Sequence, residues 1–472
     1  MRRSRTTLIA LSVASLVALQ TTSARTQTQT MLVGMGDSIG EGVQSGDASQ
    51  FTQPFSFLSL MAGQFGASFP LPLIRTGLFG AVGNVDGRAR IDPSVHTLNL
   101  AISGADSGSI LTDAATATDL SQVDNETELV LFPHLGSQID VAEDLRPQYI
   151  VCWIGNNDAL SAVLSFDQLN ATQLTPIPEF TANFTQLVDR IDAMGTRAVF
   201  GTIPDITAIG YLLNRDDLVR FLGSSGALPA GGLVGLPTMF LIRLGLLPMS
   251  ILSDPNFVLN GPEQQIISDH IRQLNDIIRT TVLSRNMALV DTHGIFQYLA
   301  TSGIDLFGVH LTTRFLGGIF SLDGVHPSNI GQGLSAFFFI DALNQHYGAN
   351  IPQFDGVFLY WLTLTDPFID KDGDGRVAGR FGAGLLETVF FLLGISGDSS
   401  DGALSLASSL EEEADPAQSG VESAPVLTAT AAQRRRALDE YARQSGRDLR
   451  TMSKAERLRA AHRLFGTARL AR

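Results

Sequence analysis

The sequence predicts an α/β protein built on a parallel sheet of about five strands with helices on both faces. Three observations carry that prediction. Five short apolar runs, at 31–35, 98–102, 149–154, 198–203 and 288–290, have the near-continuous hydrophobicity of strands buried on both sides. Stretches with helical spacing lie between them. Strand and helix alternate along the chain, the order that crossover connections in a parallel sheet require.

Composition sets the outer limits. A chain of 472 residues has room for one large domain with additions, or for two. Hydrophobic residues make up 44% and include 28 Phe, enough to fill a core, while a charged fraction of 17% argues against global disorder. The formal net charge of −15 argues against a nucleic-acid-binding body, which would be basic. The charge is uneven: residues 431–472 carry twelve Lys and Arg against four Asp and Glu, a net of +8, which leaves −23 on the rest. Cys152 is the only cysteine, so no internal disulfide forms, and its place in an apolar run predicts a buried structural thiol.

Taken in order, the chain opens with Arg2, Arg3 and Arg5, an apolar run from Leu8 to Leu19, and the small residues Thr22, Ser23 and Ala24. This is the pattern of a signal peptide over 1–24 and predicts a secreted or periplasmic protein; an uncleaved anchor is the alternative, for which the run is short. The main domain is expected over 25–350. Within it, Phe180, Phe184, Leu187, Ile191 and Met194 recur at helical spacing and Gly195 marks a stop. Ile266, Ile267, His270, Ile271, Leu274, Ile277 and Ile278 form a second stripe, on which His270 reads as a packed histidine. An insertion at 208–262 contains the almost wholly apolar stretch from Gly231 to Leu247. It reads either as a cap over a lipid-facing cleft or as an extra core layer. An apolar extension with an Asp-rich loop follows at 351–395. A Ser-, Ala-, Glu- and Pro-rich linker is expected at 396–430. The basic segment 431–472, with a capping box at Ser453 and Glu456, is expected to be helical. It would either touch anionic lipid or another polyanion, or lie solvated against the acidic body.

Four short motifs carry the chemistry. Gly36-Asp37-Ser38, followed by Gly42, comes directly after the first predicted strand. Open parallel sheets put their active sites at the carboxyl ends of strands. Asp323-Gly324-Val325-His326-Pro327 supplies what a serine nucleophile needs: an imidazole to take its proton and a carboxylate to fix the tautomer of that ring. His293, in Asp291-Thr292-His293, is the nearest rival and reads as a loop histidine. Gly155-Asn156-Asn157-Asp158 ends the third strand and Asn99 to Gly104 ends the second. An amide of the former and an unobstructed backbone N–H of the latter are suited to stabilising an oxyanion.

With these four blocks following one another along the chain as Ser38, Gly104, Asn157 and His326, residues 31–347 resemble the SGNH, or GDSL-type, hydrolases, a family named for a Ser, a Gly, an Asn and a His. The resemblance implies a three-layer α/β/α (flavodoxin-like) fold. It implies a Ser38–His326–Asp323 triad and an oxyanion hole from the Ser38 and Gly104 N–H groups and the Asn157 side chain. It also implies ester hydrolysis with no cofactor for catalysis. The expected partners are a small-molecule or lipid ester and, at most, a lipid surface. Deacetylation of carbohydrate esters, acyl transfer on the same triad and a non-catalytic surface protein are the other readings. It says nothing of the insertion or of the chain after 348.

Asp370, Asp372 and Asp374, with Gly375 at the sixth position, copy the first half of a calcium-binding loop. Ala378 at position nine and Phe381 at position twelve do not complete it, so a structural calcium site and a plain acidic turn both stay open.

Overall fold

The computed structural model describes residues 31–75, 85, 88–165, 169, 171–380 and 385–397. The expected signal peptide, most of the expected linker and all of the basic segment lie outside the described residues.

Four parallel strands form the central sheet, in the order β1 (Leu32–Gly36), β2 (Tyr149–Trp153), β3 (Arg197–Gly201) and β4 (Ala288–Val290). Every residue of β1 and β2 is buried, as their unbroken hydrophobicity requires. The run at 98–102 is not a fifth strand. It follows β1 through Gly34 N–H to Leu98 O (2.9 Å), Leu100 N–H to Gly34 O (2.8 Å) and Ile102 N–H to Gly36 O (3.1 Å), with one bridge at Asn99. Local side chains compete with a full ladder. Thr97 Oγ1 donates to Asn99 O (2.9 Å), and Asn99 Oδ1 accepts from Ala101 N–H (3.3 Å).

The helices that position the site are α1 (Ser38–Glu41), α2 (Phe57–Phe65), α3 (Gln138–Leu145), α4 (Asn157–Leu164), α5 (Ile177–Ala193), α6 (Gly261–Ser284) and α7 (Asn329–Tyr347). α2 and α7 cover one face of the sheet, and α3, α5 and α6 the other. Strand alternation separates the two faces. Trp153 stands among Phe57 and Phe339, at ring separations of 5.8 and 5.6 Å, whereas Phe200 meets Phe184 of α5 at 5.8 Å. α5 ends before Gly195, which takes φ +67°. His270 of α6 is half-buried with Nε2 2.9 Å from Thr175 O, a packed and hydrogen-bonded histidine.

The insertion at 208–262 makes its own three-stranded antiparallel sheet, from Leu212–Leu213, Leu233–Gly235 and Val258–Leu259. Leu228, Val234, Met239, Leu252 and Leu259 are fully or almost fully buried, so most of its apolar stretch is an added core layer; Leu244 and Leu246 stay exposed at a turn. After α7, helices α8 (Gly356–Thr365) and α9 (Leu385–Leu392) continue the same body. Phe390 of α9 packs on Phe240 of the insertion at 4.8 Å and on Phe315 at 6.0 Å. Among the described residues no helix is long and apolar enough to cross a membrane.

Gly201 makes room for the Trp153 layer. A Cβ there would lie 2.8 Å from Trp153 Cδ1 and 2.9 Å from Phe339 Cζ. Gly201→Val is expected to cost about 1–3 kcal/mol by overpacking, measured as a lowered urea midpoint with an unchanged m-value; an unaltered midpoint would contradict this packing.

Candidate active site

The turn after β1 is shaped by three residues. Gly36 has φ +142°, and a Cβ on it would fall 2.3 Å from Trp153 O, so only glycine fits. Asp37 then caps α1: one carboxylate oxygen accepts from Ile39 N–H (2.9 Å) and the other from the Asn156 amide (2.8 Å). Ser38 is therefore held as the first residue of α1, just past the carboxyl end of β1.

His326 reaches it from 288 residues downstream, with Nε2 2.8 Å from Ser38 Oγ. Its Nδ1 lies 2.7 Å from Asp323 Oδ2. Asp323 Oδ1 also accepts from the N–H groups of Val325 and His326, both at 2.8 Å, and Oδ2 accepts from Gly46 N–H at 2.7 Å. Burial alone would raise the Asp323 carboxyl. The His326 charge and the hydrogen bonds from His326 and Val325 outweigh it and hold the group below the usual carboxylate value. An ionised Asp323 requires the proton on Nδ1, which leaves Nε2 to accept from the Ser38 hydroxyl. Gly324, at φ +70°, permits the turn between them, because a Cβ there would meet Tyr211 N at 2.4 Å.

Asn157 is tied to the loop that carries Gly104. Asn157 opens α4 and donates from Nδ2 to Ala105 O (2.7 Å), leaving a second amide hydrogen. Gly104 has φ +81°, with no atom within 4 Å of where a Cβ would sit. Among the described residues neither its N–H nor that of Ser38 has a protein acceptor. The loop is gripped from both sides. Glu41 Oε2 accepts from Ser103 N–H (2.7 Å) and from the Ser103 hydroxyl. Asp158 accepts from Ser107 N–H (2.9 Å) and Oγ (2.7 Å).

These grips are what sequence reasoning misses. Glu41, Ser321 and Gly46 carry no local signal of their role. Asp37 and Asp158 lie inside the quoted motifs, but their partners, Asn156 and Ser107, are fixed only by the fold. The rival His293 points its Nδ1 at Ile203 O (3.1 Å), away from this relay. Cys152 is buried, and burial pushes its thiol up, out of reach of nucleophilic chemistry.

The Asp-rich loop does bring the carboxylates of Asp370, Asp372 and Asp374 within 4.8 Å of one another. Asp370 is ion-paired with Arg220 and accepts from Gly373 N–H (2.8 Å) and Gly375 N–H (3.0 Å). Phe381, at position twelve, lies outside the described residues.

The GDSL-like lipase/acylhydrolase family matches the chain over residues 32–336, and the chain belongs to that family. It is a serine ester hydrolase. Among solved structures it is similar to the extracellular lipase from Streptomyces rimosus, at 16% identity over 67% of this chain and 99% of that one, with a TM-score of 0.31. It is also similar to an acetylxylan esterase from Geobacillus stearothermophilus, at 15% identity over 66% and 94%, with a TM-score of 0.32. No curated protein matches the chain by sequence.

The buried carboxyls make stability fall with rising pH. Burial pushes Asp37 and Asp158 up to about 6, and Asp47 up to about 7, against the hydrogen bonds and charges that draw them down. Each then binds its proton at higher pH in the folded chain than in the unfolded one, where the value is 3.8. The folded state therefore holds more protons from about pH 4 to 7, and stability is lost as pH rises through that window. The melting temperature is expected to be about 2–4 °C or more higher at pH 5 than at pH 8; a flat or inverted profile would contradict the burial of these groups.

Proposed function

We propose that the chain hydrolyses carboxylic esters through an acyl-enzyme on Ser38. The observation that carries this is the unbroken relay from Asp323 through His326 to Ser38, at 2.7 and 2.8 Å. As the Ser38 oxygen attacks the carbonyl carbon, its proton passes to His326 Nε2, and Asp323 stabilises the imidazolium. The carbonyl oxygen takes the negative charge and faces the N–H groups of Ser38 and Gly104 and the second Asn157 amide hydrogen, each such donor being worth about 3–4 kcal/mol. His326 then protonates the leaving alcohol. Water, deprotonated by the same ring, releases the acid and restores Ser38. None of these steps calls on a cofactor.

The acyl chain length is set by how much apolar surface borders Ser38. The insertion gives little support for a lipid-facing cap, because most of its apolar side chains are buried in its own layer. Export to the periplasm or medium is part of the same proposal; the basic and apolar start of the sequence supports it, and the mass of the mature protein tests it. Calcium on the Asp370 turn is a separate proposal. Three converging carboxylates support it and the Arg220 pair weakens it, so affinity of about 10⁻⁴–10⁻³ M is expected. Several millimolar calcium should raise the melting temperature and chelation should reverse the rise; no shift removes the metal.

Ser38→Ala is expected to lower kcat on p-nitrophenyl esters by about 10⁴ or more with the melting temperature unchanged. A variant as fast as the parent sinks the assignment. The same assay run from acetyl to long acyl esters, with an acceptor alcohol added in parallel, separates short-chain deacylation, lipid hydrolysis and acyl transfer.

A further inference from the structure

The family match stops at residue 336, yet the chain beyond it is built into the loops that hold the acid–base pair. Asp366 Oδ2 accepts from Ile330 N–H (2.8 Å), at the start of α7 and four residues after His326. Gly317 bridges to Ile369. Arg380 donates from Nη2 to Asn329 Oδ1 (2.8 Å) and from Nη1 to Phe51 O. The same Asn329 oxygen accepts from Gln44 Nε2 (3.0 Å). Arg380 thus ties the segment after His326 to the loop at 44–51.

That loop orients the catalytic carboxylate, because Gly46 N–H donates to Asp323 Oδ2 at 2.7 Å. Ser45, just before it, has φ +54°, a conformation that a non-glycine residue keeps only when its surroundings over-determine it. From one side it is held by Ser321, whose Oγ accepts from Ser45 N–H (2.8 Å), and by Leu322 N–H, which donates to Ser45 Oγ (3.3 Å). From the other side comes α9. Leu386 Cδ2 lies 3.7 Å from where a Cβ on Gly46 would sit, and the Glu387 carboxylate, 1% exposed, accepts from Arg380 N–H (3.1 Å). The charged groups that act on Glu387 are Arg380 and Asp323, with Asp366 beyond Arg380. Burial pushes Glu387 up to about 7, the Ser45 hydroxyl and Arg380 draw it down, and the Asp323 charge adds to the push.

We propose that the stretches 366–380 and 385–397 brace the catalytic base, and that Arg380 and Glu387 are positioning residues for Asp323 and His326. The proposal rests on the reading of Ser38 as the nucleophile. Arg380 fixes the distance between the 44–51 loop and the start of α7. Glu387 backs the Ser45–Gly46 turn, whose Gly46 N–H holds Asp323. A brace of this kind is invisible to the family pattern, since none of its residues touches substrate.

The test uses the full chain with Arg380→Met, Arg380→Lys and the isosteric Glu387→Gln. The readouts are kcat and KM on a soluble ester, the rate of fluorophosphonate labelling and the melting temperature. Arg380→Met and Glu387→Gln are expected to lower kcat and the labelling rate together by about tenfold to a hundredfold with KM within about twofold, and Arg380→Lys to recover part of the loss. Variants that melt earlier but keep the parental kcat and labelling rate overturn the brace and leave the nucleophile standing. A parent that is itself unlabelled overturns the nucleophile, and the brace with it.

Discussion

The chemistry of the site depends on the hydrogen-bonded line Asp323–His326–Ser38, which joins two loops 285 or more residues apart in the chain. A serine hydroxyl is a poor nucleophile unless a base sits within hydrogen-bond reach. Everything around the line keeps that reach fixed. The parallel pairing of β1 and β2 sets Ser38 and Asn156 at one sheet edge, and the Asp37–Asn156 bond locks their turns together. On the far side, α7 carries His326 just ahead of its first turn and is anchored against the Trp153–Phe57–Phe339 layer. The hydrophobic core thus acts on the chemistry by holding both ends of one hydrogen bond still.

Buried acidity is the cost of that arrangement. Asp37 and Asp158 use both carboxyl oxygens, and Glu41 uses Oε2, on the turns that carry Ser38 and Gly104, and all three are almost fully buried. Desolvation pushes all three upward, so the groups that shape the site also oppose folding as pH rises. Asp323 is the exception. It is drawn below the ordinary carboxylate value because it faces an imidazole rather than another neutral donor alone. Opposite shifts in neighbouring carboxyls separate scaffold from chemistry.

Much of this was legible in the sequence, and the part that was not has a physical reason. The runs at 31–35, 149–154, 198–203 and 288–290 are strands because burial on both faces leaves an uninterrupted apolar signature. The run at 98–102 has the same signature but keeps only an edge contact, since Thr97 and Asn99 satisfy the local backbone with their side chains. Ser38, Asp323 and His326 could be paired in advance because each sits in a distinctive local motif. Glu41, Ser321, Gly46 and Glu387 could not: their roles arise from partners brought in by tertiary folding, with |i−j| from 62 to 277 for the first three. The insertion shows the same limit, because apolar content alone does not distinguish a cap from a layer that buries itself.

The proposed chemistry needs Ser38, Gly104 and Asn157 to converge on one reacting oxygen, beside the Asp323–His326–Ser38 line. A crystal structure of the protein inactivated by an alkyl phosphonate tests it most directly. Phosphorus is expected on Ser38 Oγ, with one phosphonyl oxygen at about 2.7–3.1 Å from the Ser38 and Gly104 nitrogens and from Asn157 Nδ2. Phosphorus on another residue, or a phosphonyl oxygen turned to solvent away from all three donors, would contradict it.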